Sequence, residues 1–340
     1  MYKTVRTENK DWNNYLELLP VSKRDVYYTR EYSMACEKNG DGVAELFIYQ
    51  GKEGIVLYPY LINRIGGYAL KKEYYDIQTC YGYGGPIASS DNKQVYINFR
   101  KEFSAYCQEK KIICEFIRFH PGLSNANREW TDIEVEKNRT TVMVDLLPEI
   151  EDIWLKQITS KNRNMIRKAL KNGLSVEEGS DINEFISIYR STMDKVQAQD
   201  YYFFSDAYFK QMLKIPHIQL NIKRENITIA SAIFMICGNY LHYHLSGSKE
   251  EELKYAPNNL LLWEAINYGK KLGAEKLHLG GGISNSLEDC LFKFKNSFSN
   301  QTRDFCIGKC IQNEQIYKEL IEEWEFRNKK RATLFLQYRY

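Results

Sequence analysis

Apolar residues fall in short blocks at Leu46 to Tyr49 and Ile55 to Asn63, separated by Gln50-Gly51-Lys52-Glu53-Gly54, and this pattern predicts a hairpin with a five-residue loop. A further extended run, Tyr74 to Cys80, enters Tyr81-Gly-Tyr-Gly-Gly-Pro86, which is too glycine-rich for regular structure. From Val95 to Lys110 the apolar positions Val95, Phe99, Phe103, Ala105 and Tyr106 mostly recur at helical spacing. A strand from Ile112 to Phe119 follows and stops at Pro121-Gly122. The order is strand, glycine turn, helix, strand.

The same order returns later in the chain. Ile218 to Lys223 and Ile227 to Cys237 read as strands around Arg224-Glu225-Asn226, and Tyr240 to Leu245 reads as a third strand ending in a turn, Ser246-Gly-Ser248. A helix begins near Asn258, carries Leu261, Ala265, Tyr268 and Leu272 on one face, and closes at Gly273. Lys276 to Leu279 is then a short strand ending in Gly280-Gly281-Gly282. Strand, turn, helix and strand in that order place two strands parallel through a crossover, so each half is expected to hold one such unit in a mixed sheet with flanking helices. The boundary is expected near Leu147-Pro148-Glu149, after a strand from Thr140 to Leu146. That gives domains of 1–147 and 148–340. A helix is expected from Asn313 to Lys329, then a strand-like Thr333 to Tyr340, a tail that is a candidate addition to the first domain.

Length supports the division, since 340 residues exceed what one core usually organises. With 44% apolar and 27% charged residues, burial can offset chain entropy without disulfides or a structural metal. A net charge of +3 argues against a general polyanion binder and against DNA as a partner, so an anionic partner must meet a local basic patch. The first twenty residues lack an apolar signal-peptide core, and no run of about 18 apolar residues suits a membrane span. Eight cysteines without regular spacing fit a reduced, cytoplasmic setting.

Four constellations are candidates for chemistry. Lys156, Lys161, Arg163, Arg167, Lys168 and Lys171 occur with no acid between Asp152 and Glu177. Arg163, Arg167 and Lys171 share a helix face that fits a diphosphate or a tRNA backbone, or is simply a solvated surface. The strand-end turns Ser246-Gly247-Ser248 and Gly280-Gly281-Gly282 can bring backbone N–H groups close to a ligand, so they are expected to form a donor pocket unless they are plain tight turns. Tyr83, in the glycine turn of the first half, is expected to have a structural or acceptor-lining role, and Tyr202, in the polar-aromatic stretch from Asp194 to Phe204, either lines the acceptor site or belongs to a helix-to-helix connection packed with aromatics. His242 and His244 share a strand face beside His278; pocket lining or a proton relay, assigned to His244, is favoured over a metal because no acid or thiol stands at zinc-like spacing, and the alternative is that they are packed strand histidines.

Six segments in order resemble the FemABX family of peptidoglycan-bridge aminoacyltransferases and related transferases of bacterial cell-surface polysaccharide gene clusters. They are Tyr81 to Pro86, Ser160 to Gly173, His244 to Ser248, Asn258 to Trp263, Leu279 to Gly282, and Leu291-Phe-Lys-Phe-Lys-Asn-Ser-Phe298. The resemblance implies an α/β (α+β) chain of two tandem acetyltransferase (GNAT)-like domains with transfer in the second. There the Phe294-Lys295 pair lies at the transfer site, and the lysine stabilises the oxyanion formed when an amine attacks an ester. An alternating strand would turn Lys293 and Lys295 to the same side, so the sequence leaves both open. The implied function is an acyltransferase moving an aminoacyl or acyl group onto an amine or hydroxyl of a sugar-nucleotide or lipid-linked cell-envelope precursor, with peripheral membrane contact as one consequence. No tightly bound cofactor is expected. The co-substrate is aminoacyl-tRNA or acyl-CoA, and the CoA choice is weakened because no Gln/Arg-x-x-Gly-x-Gly/Ala pyrophosphate loop stands between a strand and a helix in either half. A CoA-dependent N-acyltransferase of nucleotide sugars and a non-catalytic binding module are the alternatives.

Overall fold

A computed structural model describes all 340 residues, and the chain forms two compact units, 1–138 with 305–340, and 139–304. The strand Glu134–Asp145 carries the chain from the first to the second, and Thr302–Ile311 carries it back. The sequence reading placed one boundary after 147 because Pro148 follows a strand. Pro148 instead stands just before a helical turn, Ile150–Asp152, inside the second unit.

In the first unit the strands Tyr2–Arg6, Val43–Gly51, Gly54–Arg64, Tyr75–Gln78, Ile112–Arg118 and Thr302–Ile311 lie side by side in that order. All neighbours are antiparallel except Tyr75–Gln78 with Ile112–Arg118, a parallel pair joined by the helix Lys93–Lys110. Of the positions that its periodicity marked, that helix buries Val95, Phe99, Phe103 and Tyr106 against Phe47 and Tyr58 of the sheet, while Ala105 is exposed. Asn92 caps its first turn by accepting from the Gln94 N–H.

The tail is not a strand. Residues after Asn328 contribute Leu336 and Tyr338 to a core with Ile113, Leu320 and Trp324, and end in a 3-10 turn, Gln337–Arg339. Arg339 and the Tyr338 hydroxyl both reach the buried Asp76 carboxylate. The β-like alternation of Thr333 to Tyr340 thus reflects side chains gripping a core from a turn, with no ladder partner.

In the second unit the order is Glu134–Asp145, Lys276–Gly281, Tyr240–Ser248, Ile227–Cys237, His217–Arg224 and Ser175–Glu178. Again one pair is parallel, Tyr240–Ser248 with Lys276–Gly281, joined by the helix Pro257–Lys271. The expected α/β class, with a mixed sheet in each unit, is therefore borne out. Pro257 occupies the first helical turn and Gly273, at φ +74°, follows the last, as the sequence signals indicated. No helix is long and apolar enough to cross a membrane.

Candidate active site

The two parallel strands of the second unit part company. They pair at Tyr240↔Lys276, Leu241↔Leu277 and His242↔His278, and no further. Beyond that point each strand carries an irregularity. His244 is an extra residue between the pairs Phe234↔Tyr243 and Ile233↔Leu245, and Leu279 is extra between His278↔Met143 and Gly280↔Val142. Bulges bend strands and re-aim side chains, and two at the same level open a gap between Tyr243 and Gly281. Gly280 adopts φ +73°, a left-handed conformation that suits glycine.

Lys295 fills the mouth of this gap. Its residues do not form a strand: Cys290–Asn296 is a helix capped by Asp289, which accepts from the Phe292 N–H. Two residues along a helix turn through about 200°, so Lys293 and Lys295 face opposite ways. Lys293 is exposed and pairs with Glu288, whereas Lys295 is 8% exposed and donates from Nζ to the Gly281 carbonyl at 2.8 Å. The ammonium also lies 5.7 Å from the centroid of the Tyr243 ring, so it sits between the diverging strands. Burial pushes its pKa down to about 8. The Asp289 charge works against that shift, and the Arg139 guanidinium adds to it. Phe294 is half-buried, edge-on to Phe298 at 5.6 Å, and belongs to the packing under the helix.

The bulge also turns His244 toward Tyr208, whose hydroxyl lies 2.7 Å from Nε2. Burial, with His242 nearby, pushes the His244 pKa down to about 3, so the ring is neutral at ordinary pH and is a hydrogen-bond partner of Tyr208. His242 and His278 meet edge to face at 5.5 Å across the last parallel pair.

Ser246-Gly247-Ser248 is not a turn. The three residues continue the strand, paired with Ala232, Ser231 and Ala230. Gly247 is required because a Cβ there would stand 2.7 Å from the Ile188 carbonyl oxygen of the helix Ile182–Lys195. Ser246 accepts from the Tyr243 hydroxyl at 2.6 Å, while the Ser248 N–H donates to Thr192 Oγ1 at 2.9 Å. The glycine in this segment is a packing device, and the segment is a strand where the sequence suggested a turn. Gly281 and Gly282 present carbonyls instead: Gly281 accepts from Lys295, and Gly282 accepts from Arg139 at 2.9 Å.

The basic helix forms as expected, Ser160–Lys171, with Thr159 as its cap and Ile166 and Ala169 buried. Its cations divide. Arg163 donates from Nη1 to the carbonyls of Trp154 (3.2 Å), Leu155 (3.3 Å) and Ile158, so it ties off the irregular turn Ile153–Gln157, a structural role that the sequence did not suggest. Arg167 is exposed, 5.3 Å from the Trp154 ring centroid, and Lys171 is exposed in the last turn. Arg163→Ala is therefore expected to cost about 1–2 kcal/mol of stability in urea unfolding, while Arg167→Ala and Lys171→Ala stay within about 0.5 kcal/mol of the parent.

Tyr83 belongs to the first unit, where its ring meets Tyr27 at 5.4 Å and Phe305 at 5.1 Å. Tyr202 closes a 3-10 turn in the second unit, and its carbonyl accepts from Tyr189 at 2.7 Å. Sequence reasoning did not single out Tyr243, Tyr208, Arg139 or Asp289. Only Asp289, one residue before a short apolar run, carried a legible signal as a helix cap. A buried amide chain also escaped notice: Asn259 donates to Asn162 Oδ1 at 2.7 Å, and Asn162 donates to the Ser297 carbonyl at 3.3 Å, joining two helices to the end of the Lys295 helix.

Residues 217–311, which include both bulged strands and the Lys295 helix, match the FemAB family. Among solved structures the chain is similar to FemX, with a TM-score of 0.67 at 13% identity over 94% of this chain and 99% of that one. It is also similar to L-PGS from Bacillus licheniformis, with a TM-score of 0.58 at 14% identity over 91% and 93% of the two chains. The C-terminal domain of a putative lysylphosphatidylglycerol synthetase from Agrobacterium fabrum gives a TM-score of 0.54 at 11% identity over 84% and 94%. Identities this low show a shared fold. No curated protein matches the chain in sequence. The segment that holds the candidate site thus matches the FemAB family, and nearly the whole chain has the fold of FemX.

Proposed function

We propose that the chain transfers an activated acyl group, an aminoacyl group in the first instance, onto an amine or hydroxyl of a cell-envelope precursor. The observation that carries this reading is the Lys295 ammonium, buried at the gap between two bulged, parting strands, with one hydrogen bond to Gly281 and two N–H donors left for a ligand. A carbonyl placed there develops negative charge on oxygen when an amine attacks its carbon, and a desolvated cation stabilises that oxygen far more than it stabilises the neutral carbonyl. The C–O bond to the leaving alkoxide then breaks. The nucleophile's proton leaves to water, to the leaving group or to the neutral His244 imidazole. Lys295 supplies charge and orientation and makes no covalent bond.

Aminoacyl-tRNA is the donor favoured here, because Ser246 to Ser248 continue a strand and do not form a phosphate-binding turn, with the Ser248 N–H already given to Thr192, while Arg167, Lys168 and Lys171 stand exposed on one helix. The test is transfer of a radiolabelled amino acid from charged tRNA to nucleotide-linked or lipid-linked muropeptide, with acyl-CoA as the competing donor. Transfer from tRNA should decline steeply with salt through loss of phosphate contacts. Because Lys295 must be charged, kcat/KM should fall above pH about 8. Transfer from acyl-CoA alone, or a rate flat from pH 7 to 10, would reject the tRNA donor or the lysine role respectively.

A further inference from the structure

Resting on that acyl-transfer reading, we infer that Asp289 is a positioning residue that fixes the place and the charge state of Lys295 at the parting strands. Asp289 stands where the loop after the strand Lys276–Gly281 enters the Lys295 helix. Its Oδ1 accepts from the Phe292 N–H at 2.9 Å, which fixes the first turn of the helix. Its Oδ2 accepts from the N–H groups of Ile283 (3.1 Å) and Ser284 (3.0 Å) and from the Ser284 hydroxyl (3.1 Å), which folds the loop back on itself. Arg139, from the strand Glu134–Asp145, holds the same loop by donating to the carbonyls of Gly282 (2.9 Å) and Ile283 (3.2 Å).

These contacts close a ring of constraints. The strand end offers the Gly281 carbonyl to the Lys295 ammonium, the helix carries Lys295, and one carboxylate joins helix to loop. A seven-residue helix has too few internal hydrogen bonds to hold its own direction, so its orientation comes from such ties. The charged and titratable groups around Lys295 are Asp289 at the head of its helix, Arg139 on one strand and the Tyr243 phenol on the other; Lys293 is turned outward with Glu288. Asp289 is the one anion among them and favours the ammonium, against the Arg139 charge. Burial works to raise the Asp289 pKa, but the N–H groups of Ser284 and Phe292 prevail and hold it below the usual carboxylate range, so its charge is present throughout the working pH.

The test separates placement from catalysis by titrating Lys295 directly, through the 13C shift of its Cε in lysine-labelled protein, the signal being assigned by its absence in Lys295→Arg. Asp289→Asn and Asp289→Ser keep a capping acceptor and remove the charge, whereas Asp289→Glu keeps the charge. The Lys295 midpoint should fall by roughly 0.5–1 pH unit in the first two and stay near the parent value in the third. The falling limb of the pH–rate profile should move with it. An unchanged midpoint in folded Asp289→Asn and Asp289→Ser overturns the inference. A shifted midpoint with an unmoved activity limb supports the placement by Asp289 and overturns the catalytic reading of Lys295 instead.

Discussion

Lys295→Met should lower acyl transfer by about 10²–10³-fold, the usual cost of removing one donor to an oxyanion, while leaving the protein as stable as the parent or more stable. The second half of that expectation is the discriminating one. A lysine whose folded pKa lies near 8, below its unfolded value, destabilises the folded state at neutral pH, because both states are charged there and only the folded one is desolvated. The difference is about 3 kcal/mol. It shrinks as pH rises from about 8 toward the unfolded value, where the folded state gives up its proton first. Methionine fills similar space without that cost. It forfeits the bond to the Gly281 carbonyl, which is half-exposed and can turn to water for about 1 kcal/mol. The net expectation is a gain of up to about 2 kcal/mol in urea unfolding at pH 7, paired with lost turnover and a nearly unchanged KM. A residue kept at the expense of stability is held there by function. Full activity, or a loss of stability that accounts for the lost activity, would remove Lys295 from the mechanism.

Ending the chain at Ala332 is expected to cost about 4 kcal/mol or more. Those last residues look dispensable in sequence, yet they remove the only cation and hydroxyl recorded on Asp76, whose side chain is 1% exposed. Breaking a buried ion pair from one side leaves an uncompensated charge, and Leu336 and Tyr338 leave the core at the same time. The backbone carbonyl of Tyr340, which accepts from Trp324 Nε1 at 2.6 Å, and that of Phe335, which accepts from Tyr317 at 2.8 Å, go too. Urea unfolding should show the loss, and hydrogen exchange should place it in Ile112–Arg118 and Tyr75–Gln78. Adding Asp76→Asn to the shortened chain should recover part of the loss by removing the stranded charge. A shortened chain of parental stability would show that the Asp76 network is incidental.

The local elements were legible because their signals are local. The periodicity of Val95, Phe99, Phe103 and Tyr106, and the Pro257 to Gly273 bracket, report one helix each and depend on few distant residues. The strand-helix-strand order in each half was legible for the same reason. Bulges were not, since an extra residue at His244 is defined only against the register of Ile227–Cys237, which lies elsewhere in the chain. Ser246-Gly-Ser248 misled because glycine reads as a turn, while its actual cause is a helix backbone packed against the strand at Gly247.

Arg163 shows the same limit from the side of charge. Its sequence neighbours are cations, which suggested a ligand, but its nearest acceptors are three carbonyls of an irregular turn that no pattern predicted. By itself the sequence determined the class of fold, the repeated strand-helix-strand unit and the family resemblance carried by ordered motifs, because hydrophobic period and turn chemistry are written residue by residue. Tertiary structure decided which of Lys293 and Lys295 faces the parting strands, and that the tail packs with the first unit. Both outcomes rest on burial and on partners far away in sequence, and a one-dimensional pattern does not contain those distances.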